Sequence, residues 1–107
     1  MAKKALTVDI NDKKEYQRLL DGIEQTHGMK VGRVYLEPGH DCHEHSTEAR
    51  EELLVFLAGE GQLHIKGQEP LAVGQGKIAY IPPHTLHNVK NTSTDPMIYI
   101  FCVTPVG

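Results

Sequence analysis

A chain of 107 residues makes one domain, of the size at which folding buries roughly 60 to 68% of the unfolded surface. Its 11 Lys and Arg against 14 Asp and Glu leave a formal charge of -3 with no cationic cluster, which sets aside nucleic acid and anionic membrane as partners. No apolar run approaches the roughly 18 residues of a membrane span, Met1 to Asp9 holds no signal-peptide core, and Cys42 and Cys102 make no disulfide framework. The expectation is a cytoplasmic protein with free thiols.

Ala5-Leu-Thr-Val-Asp-Ile10 alternates and reads as a first strand. Asn11 then has the chemistry of a helix N-cap, Asp12 and Glu15 suit the positive end of a helix, and Tyr16, Leu19 and Leu20 make an apolar stripe that Gly22 ends. Residues 1–28 are therefore expected to be a strand and one short helix packed on a β-domain over 29–107. Met29 to Leu36 is the next strand, turned by Glu37-Pro-Gly39. Glu51 to Ala58, Gln62 to Lys66, Glu69 to Val73, Lys77 to Ile81, His87 to Asn91 and Pro96 to Val103 follow as short strands separated by Gly-rich or polar turns and one Pro82-Pro83 corner. Eight or nine strands at this spacing predict an antiparallel sandwich or small barrel of jelly-roll type. The outward positions Leu53, Val55 and Leu57 are apolar, Phe56, Ile78 and Tyr80 read as barrel lining or core, and Gly59, Gly61, Gly74 and Gly76 read as turn residues, since no helix follows them to cradle a phosphate.

Five of the seven histidines fall in two short segments: His40, His43 and His45 in one, His84 and His87 in the other. In an extended segment His43, His45 and Thr47 share one face, and two imidazoles on one face begin a metal site. A divalent ion favours neutral imidazole and a carboxylate, which Glu52 supplies at the start of the next strand, and His87 follows the Pro-Pro corner. Glu48 and Glu51 are rival carboxylates, the first in a loop and the second of outward parity. His40 is expected near the mouth, His84 at the corner, His27 and His64 at the surface, and Cys42, of opposite parity to His43, is expected to point away from the metal.

These two stretches resemble the paired signature motifs of the cupin superfamily, small jelly-roll β-barrels. In the second, Gly76, Pro82, His84, His87 and Asn91 stand at the family's spacing, with His84 where the family has glycine; in the first, Glu52 is followed by six residues and Gly59. The resemblance covers about Met29 to Val103. The start of the first motif admits two registers. Counted from Gly39, the family's first histidine is His45 and its second position is Thr47; counted from the His-x-His pair, the two are His43 and His45, with two residues extra before Glu52. Extra loop residues cost little and a lost ligand costs much, so the second register gives the ligand set His43, His45, Glu52 and His87. Both retain His45, Glu52 and His87, a two-histidine, one-carboxylate set.

The resemblance implies one divalent transition metal (Fe, Mn, Ni, Zn or Co) and a small-molecule enzyme of the dioxygenase, isomerase, decarboxylase or lyase kind acting on a carbonyl, carboxylate or sugar-type substrate. The alternatives are a barrel that binds or senses a small ligand without turnover, and one that keeps its histidines as polar lining without a metal. Single-domain members commonly pair, so a homodimer is expected, in keeping with the apolar outward positions of the strand after Glu51.

Overall fold

The computed structural model describes residues 2–107, which form nine strands and no helix. These are β1 (Gln17–Asp21), β2 (Lys30–Leu36), β3 (His45–Ser46), β4 (Arg50–Ala58), β5 (Glu60–Ile65), β6 (Leu71–Gly74), β7 (Ile78–Ile81), β8 (Leu86–Lys90) and β9 (Met97–Pro105). A five-stranded sheet in the order β1-β2-β9-β4-β7 faces a four-stranded sheet in the order β3-β8-β5-β6, and the paired strands are antiparallel. This is the jelly-roll arrangement that the strand spacing predicts.

The alternation of β4 carries the logic of the whole barrel. Glu52, Leu54 and Phe56 are buried against the second sheet, while Leu53 and Leu57 are exposed on the outer face. Leu54, Leu63 and Ile81 are at most 1% exposed, and burying each contributes about 1.5–3 kcal/mol. Val73, Val89 and Met97 complete the wall-to-wall packing. Phe56 is core, as expected, but Ile78 and Tyr80 are 71% and 58% exposed. Their register opposite Val55 and Leu53 puts them on the outer face rather than in the lining.

Two of the corners at which the chain crosses between the sheets bear on the site. At the first, β4 passes to β5 through Gly59, whose φ of +82° favours glycine and where a side chain would meet the Pro96 and Met97 backbone. Residues 59–61 are thus a crossing between sheets and not a hairpin turn. At the second, Pro82 and Pro83 link β7 to β8, followed by His84 in the left-handed region at φ +52°. That conformation explains why glycine suits the position in the family motif. Asn91 closes the far end of β8: its Nδ2 donates to the Leu36 and Asp95 carbonyls at 3.0 and 2.8 Å, and its Oδ1 accepts from Ser93.

The first 28 residues depart from expectation. Asn11 does accept a backbone proton, but from Lys13 two residues on, which closes a turn and starts no helix. Residues 17–21 then form β1, because pairing with β2 satisfies an otherwise open strand edge, whereas two helical turns with one apolar stripe are too short to hold a helix. Gly22 opens the β1–β2 connection, which Asp21 braces by accepting from the Ile23, Glu24 and Gln25 amides. Ala5 to Ile10 forms no ladder among the described residues, and Leu6, Val8 and Ile10 stay exposed. The Gln17 side chain fixes this segment by bonding Asp9 and Asn11, and buried Arg33 fixes the next by donating to the Lys13 and Glu15 carbonyls.

Candidate metal centre

β3 and β8 are neighbours in the smaller sheet, and their register sets His45 directly opposite His87. Cross-strand partners point to the same face, so both rings enter the space between the sheets, with centroids 4.2 Å apart. Glu52 approaches from β4 in the larger sheet, its Oε1 lying 3.2 Å from His87 Nε2. One donor atom from each of His45, Glu52 and His87 lies within 4.8 Å of the others. His87 and Glu52 are buried and His45 is exposed, so the cluster has an inner and an open side.

The hydrogen bonds around the rings decide which nitrogens are available. His87 Nδ1 lies 3.0 Å from the Thr85 carbonyl and His45 Nδ1 2.8 Å from the His43 carbonyl. A carbonyl only accepts, so each Nδ1 carries its proton and each Nε2 is left free to act as a ligand, that of His87 facing Glu52. Two Nε2 atoms and a carboxylate are a donor set that fits a divalent metal. Without one, the surroundings of His87 favour its protonated form more than water does. Burial pushes the His87 pKa down, but the bond to Glu52, the bond to Thr85 and the Glu52 charge together outweigh it and leave it above the ordinary value.

Of the other expected residues, His43, His40 and Cys42 depart from their expected places, while Glu48, Glu51 and His84 stand where the sequence puts them. His43 has φ +69° and a side chain 94% exposed, with Nδ1 3.5 Å from Asp41 Oδ1 and outside the cluster. It contributes its carbonyl, which orients His45, and not its ring. Thr47 is buried at the pocket, its hydroxyl donating to the Pro82 carbonyl at 2.7 Å and accepting from the Thr85 amide at 3.1 Å. The geometry favours the register counted from Gly39, with Thr47 standing at the second histidine position as a clamp. Glu51 turns outward and accepts from the Tyr80 hydroxyl, Glu48 is exposed, and His84 is exposed at the corner. His40 lies at the far end of β8, where its carbonyl accepts from Asn91, so it is not at the mouth. Cys42 also differs from expectation: the left-handed turn at His43 breaks strand parity, and the thiol lines the pocket, accepting from the Val89 amide.

The cluster opens into a pocket of about 310 Å³ between the sheets. Tyr99, Phe101 and Val103 of β9 line one wall, Val34 and Leu54 add apolar surface, and Lys30 and Arg50 stand among the lining residues. Tyr99 and Cys42 sit beside one another there. Burial raises both the phenol and the thiol, so they face the pocket protonated. Tyr99, Lys30 and Arg50 went unremarked in the sequence because their place depends on register through β9; only the shared parity of Arg50 and Glu52 was readable.

An antiparallel double-sheet jelly roll with a pocket and a two-histidine, one-carboxylate cluster between its sheets is the class of fold that these elements define. Residues 32–103 match the model of the cupin domain, and the chain belongs to the cupin family. No curated protein matches its sequence. Among solved structures it is similar to an RmlC-like cupin family protein with a double-stranded β-helix fold from Methanocaldococcus jannaschii, at 20% identity and TM-score 0.79 over 97% of this chain and 94% of that one. A predicted oxalate decarboxylase from Thermotoga maritima is similar at 21% identity and TM-score 0.78, over 85% and 79%. A DMSP lyase from Ruegeria pomeroyi is similar at 24% identity and TM-score 0.63, over 71% of this chain and 38% of that one. At these identities the likeness is one of fold. Among the described residues no helix is long and apolar enough to cross a membrane.

Proposed function

We propose that this cupin is a metal-dependent enzyme acting on a small carbonyl, carboxylate or sugar-type substrate, with His45, Glu52 and His87 as the metal ligands. The observation that carries the reading is the pair of Nε2 atoms, each fixed by a backbone carbonyl behind it, converging with the Glu52 carboxylate on one pocket. His45, Glu52 and His87 would hold a divalent ion, which would supply a Lewis acid toward a carbonyl or carboxylate oxygen. The chain's own residues do the rest: Glu52 keeps the local charge low, Val34 and Phe101 exclude water, and Tyr99 and Cys42, both held protonated, face a bound oxygen as hydrogen-bond donors. Similarity to structures described as a predicted oxalate decarboxylase and a DMSP lyase supports turnover over a purely structural barrel.

The test is reconstitution of metal-free protein with Fe(II), Mn(II), Ni(II), Zn(II) or Co(II), followed by screening of carbonyl compounds, organic acids and sugars for consumption and oxygen uptake. Turnover with one metal identifies the class. Saturable binding of a small molecule with no turnover under any metal would replace the enzyme with a binding or sensing barrel. The same reading includes a homodimer, supported by the exposed Leu53, Leu57, Ile78 and Tyr80, which adjoin one another on the outer face of β4 and β7.

A further inference from the structure

The larger sheet arranges its inward side chains in rows. Register pairs Lys30 with Val103 and Val103 with Glu52, so these three form one row across β2, β9 and β4. Lys30 and Glu52 are thereby held two strand spacings apart, about 10 Å at the backbone. Arg50 precedes Glu52 by one inward position, about 7 Å along the strand toward the opening. From mouth to floor the inward face of β4 reads Arg50, Glu52, Leu54, Phe56, a passage from cation to carboxylate to hydrocarbon. On β2 the inward face reads Lys30, Gly32, Val34, Leu36, again with the cation at the mouth.

Both cations line the pocket, and among the described residues neither forms an ion pair within 4.0 Å or donates a side-chain hydrogen bond. The neighbouring carboxylates are engaged or turned elsewhere: Glu51 with Tyr80, Glu52 with His87, Glu48 in solvent, and Asp21, the cross-strand partner of Lys30, with the Ile23, Glu24 and Gln25 amides. A lysine or arginine on an outer face is ordinarily a solvated charge. Here two converge over the same concave, partly apolar pocket whose single carboxylate is already committed to the histidine cluster, and opposite charge from a ligand is what the site lacks.

We propose that Lys30 and Arg50 form an anion-binding subsite at the mouth of the pocket, so that the ligand is a small organic acid presenting an oxygen donor to the His45, Glu52 and His87 cluster and a second, anionic group to the two cations. The inference rests on the pocket being the ligand site, as proposed above, and narrows the substrate to an acid with two oxygen-bearing ends. A pocket of about 310 Å³ lies at the small end of ligand cavities, which fits a short diacid or a phosphorylated or oxo acid and not an extended chain. Arginine suits the anionic end because its fork meets a carboxylate or phosphate with two parallel bonds.

The experiment uses the full chain, ¹⁵N-labelled and metal-free, titrated with malonate, with inorganic phosphate and with neutral malonamide, then repeated with Lys30→Gln, Arg50→Gln and the double variant. Expected are saturable shifts at Lys30, Arg50 and Val103 with malonate or phosphate, none with malonamide, and affinity at least about tenfold weaker in the double variant. The better of the two anions assigns the headgroup as carboxylate or phosphate. Equal affinity in the double variant, malonamide binding as tightly as malonate, or no saturable shift with either anion overturns the inference. Co(II) titration of the same samples separates this from the metal reading: Lys30 and Arg50 variants are expected to bind cobalt no less tightly than the parent. If the parent binds malonate through the two cations but takes up no cobalt, the subsite stands and the metal centre falls.

Discussion

His45 and His87 face one another across the β3–β8 ladder with their ring centroids 4.2 Å apart, and each is held from behind by a backbone carbonyl, that of His43 for one and Thr85 for the other. The ring nitrogens left over point at a carboxylate from the opposite sheet. Metal binding is therefore expected to follow this trio. His45→Ala, Glu52→Ala and His87→Ala each abolish stoichiometric Co(II) uptake, while His43→Ala retains it because the alanine keeps the carbonyl. Elemental analysis after dialysis checks all four; loss of metal in His43→Ala would restore the register that makes His43 a ligand.

Thr47 acts one step removed. Its hydroxyl ties the Pro82 carbonyl to the Thr85 amide, and Thr85 in turn orients His87. Thr47→Val keeps the shape and removes both bonds, leaving a part-buried carbonyl and amide short of a partner, at a cost of about 1 kcal/mol in urea unfolding. Metal affinity is expected to drop about 10–100-fold without loss of stoichiometry.

The His87–Glu52 pair makes the metal-free protein sensitive to pH. Since the native His87 pKa lies above the ordinary value of 6.5, the folded state holds that proton more tightly than the unfolded chain does. The pair's stabilisation is fully present below 6.5 and is lost as pH rises through the native value. In metal-free protein, Glu52→Gln should flatten this fall in thermal stability. Metal competes with the same proton, so Co(II) affinity is expected to rise over the same window and binding to release a proton, which calorimetry in two buffers detects.

His84 occupies a left-handed conformation that costs a side-chain-bearing residue about 1–2 kcal/mol, against about 0.5–1 kcal/mol for the extra chain freedom of glycine. His84→Gly is expected to leave metal uptake intact and raise stability by up to about 1 kcal/mol. A lowered melting temperature would show that the added chain freedom of glycine outweighs the backbone strain relieved.

For the proposed homodimer, Leu53→Glu with Ile78→Glu places two charges on the exposed outer face. The expected result is a monomer by light scattering with the fold retained. A parent protein already monomeric at working concentration rejects the dimer.

How far the sequence could be read tracks how local each signal is. β2 and β4 to β9 were legible because alternation and turn chemistry lie within a few residues of one another, and His45, Glu52 and His87 came from strand parity and motif spacing. β1 reads as a helix because Tyr16, Leu19 and Leu20 have helical spacing, and the strand's own alternation is broken by the irregularity between Arg18 and Leu20, so only the partner strand decides. A single left-handed residue, His43, was enough to reverse the direction of Cys42 and remove its own ring from the pocket. Lys30 could not be placed at all from its neighbours, because it meets Glu52 only through Val103, about 50 residues downstream of the carboxylate.

That dependence on β9 carries a consequence for biosynthesis. β9 is the central strand of its sheet and leaves the ribosome after every other strand of the barrel. A nascent chain that has reached Asp95 already holds both histidine strands and the Glu52 strand, yet β2 and β4 have no shared edge and the wall of Tyr99, Phe101 and Val103 does not exist. The pocket is completed only when β9 inserts, so a ligand that needs the finished wall selects chains that have placed β9 over those that have not.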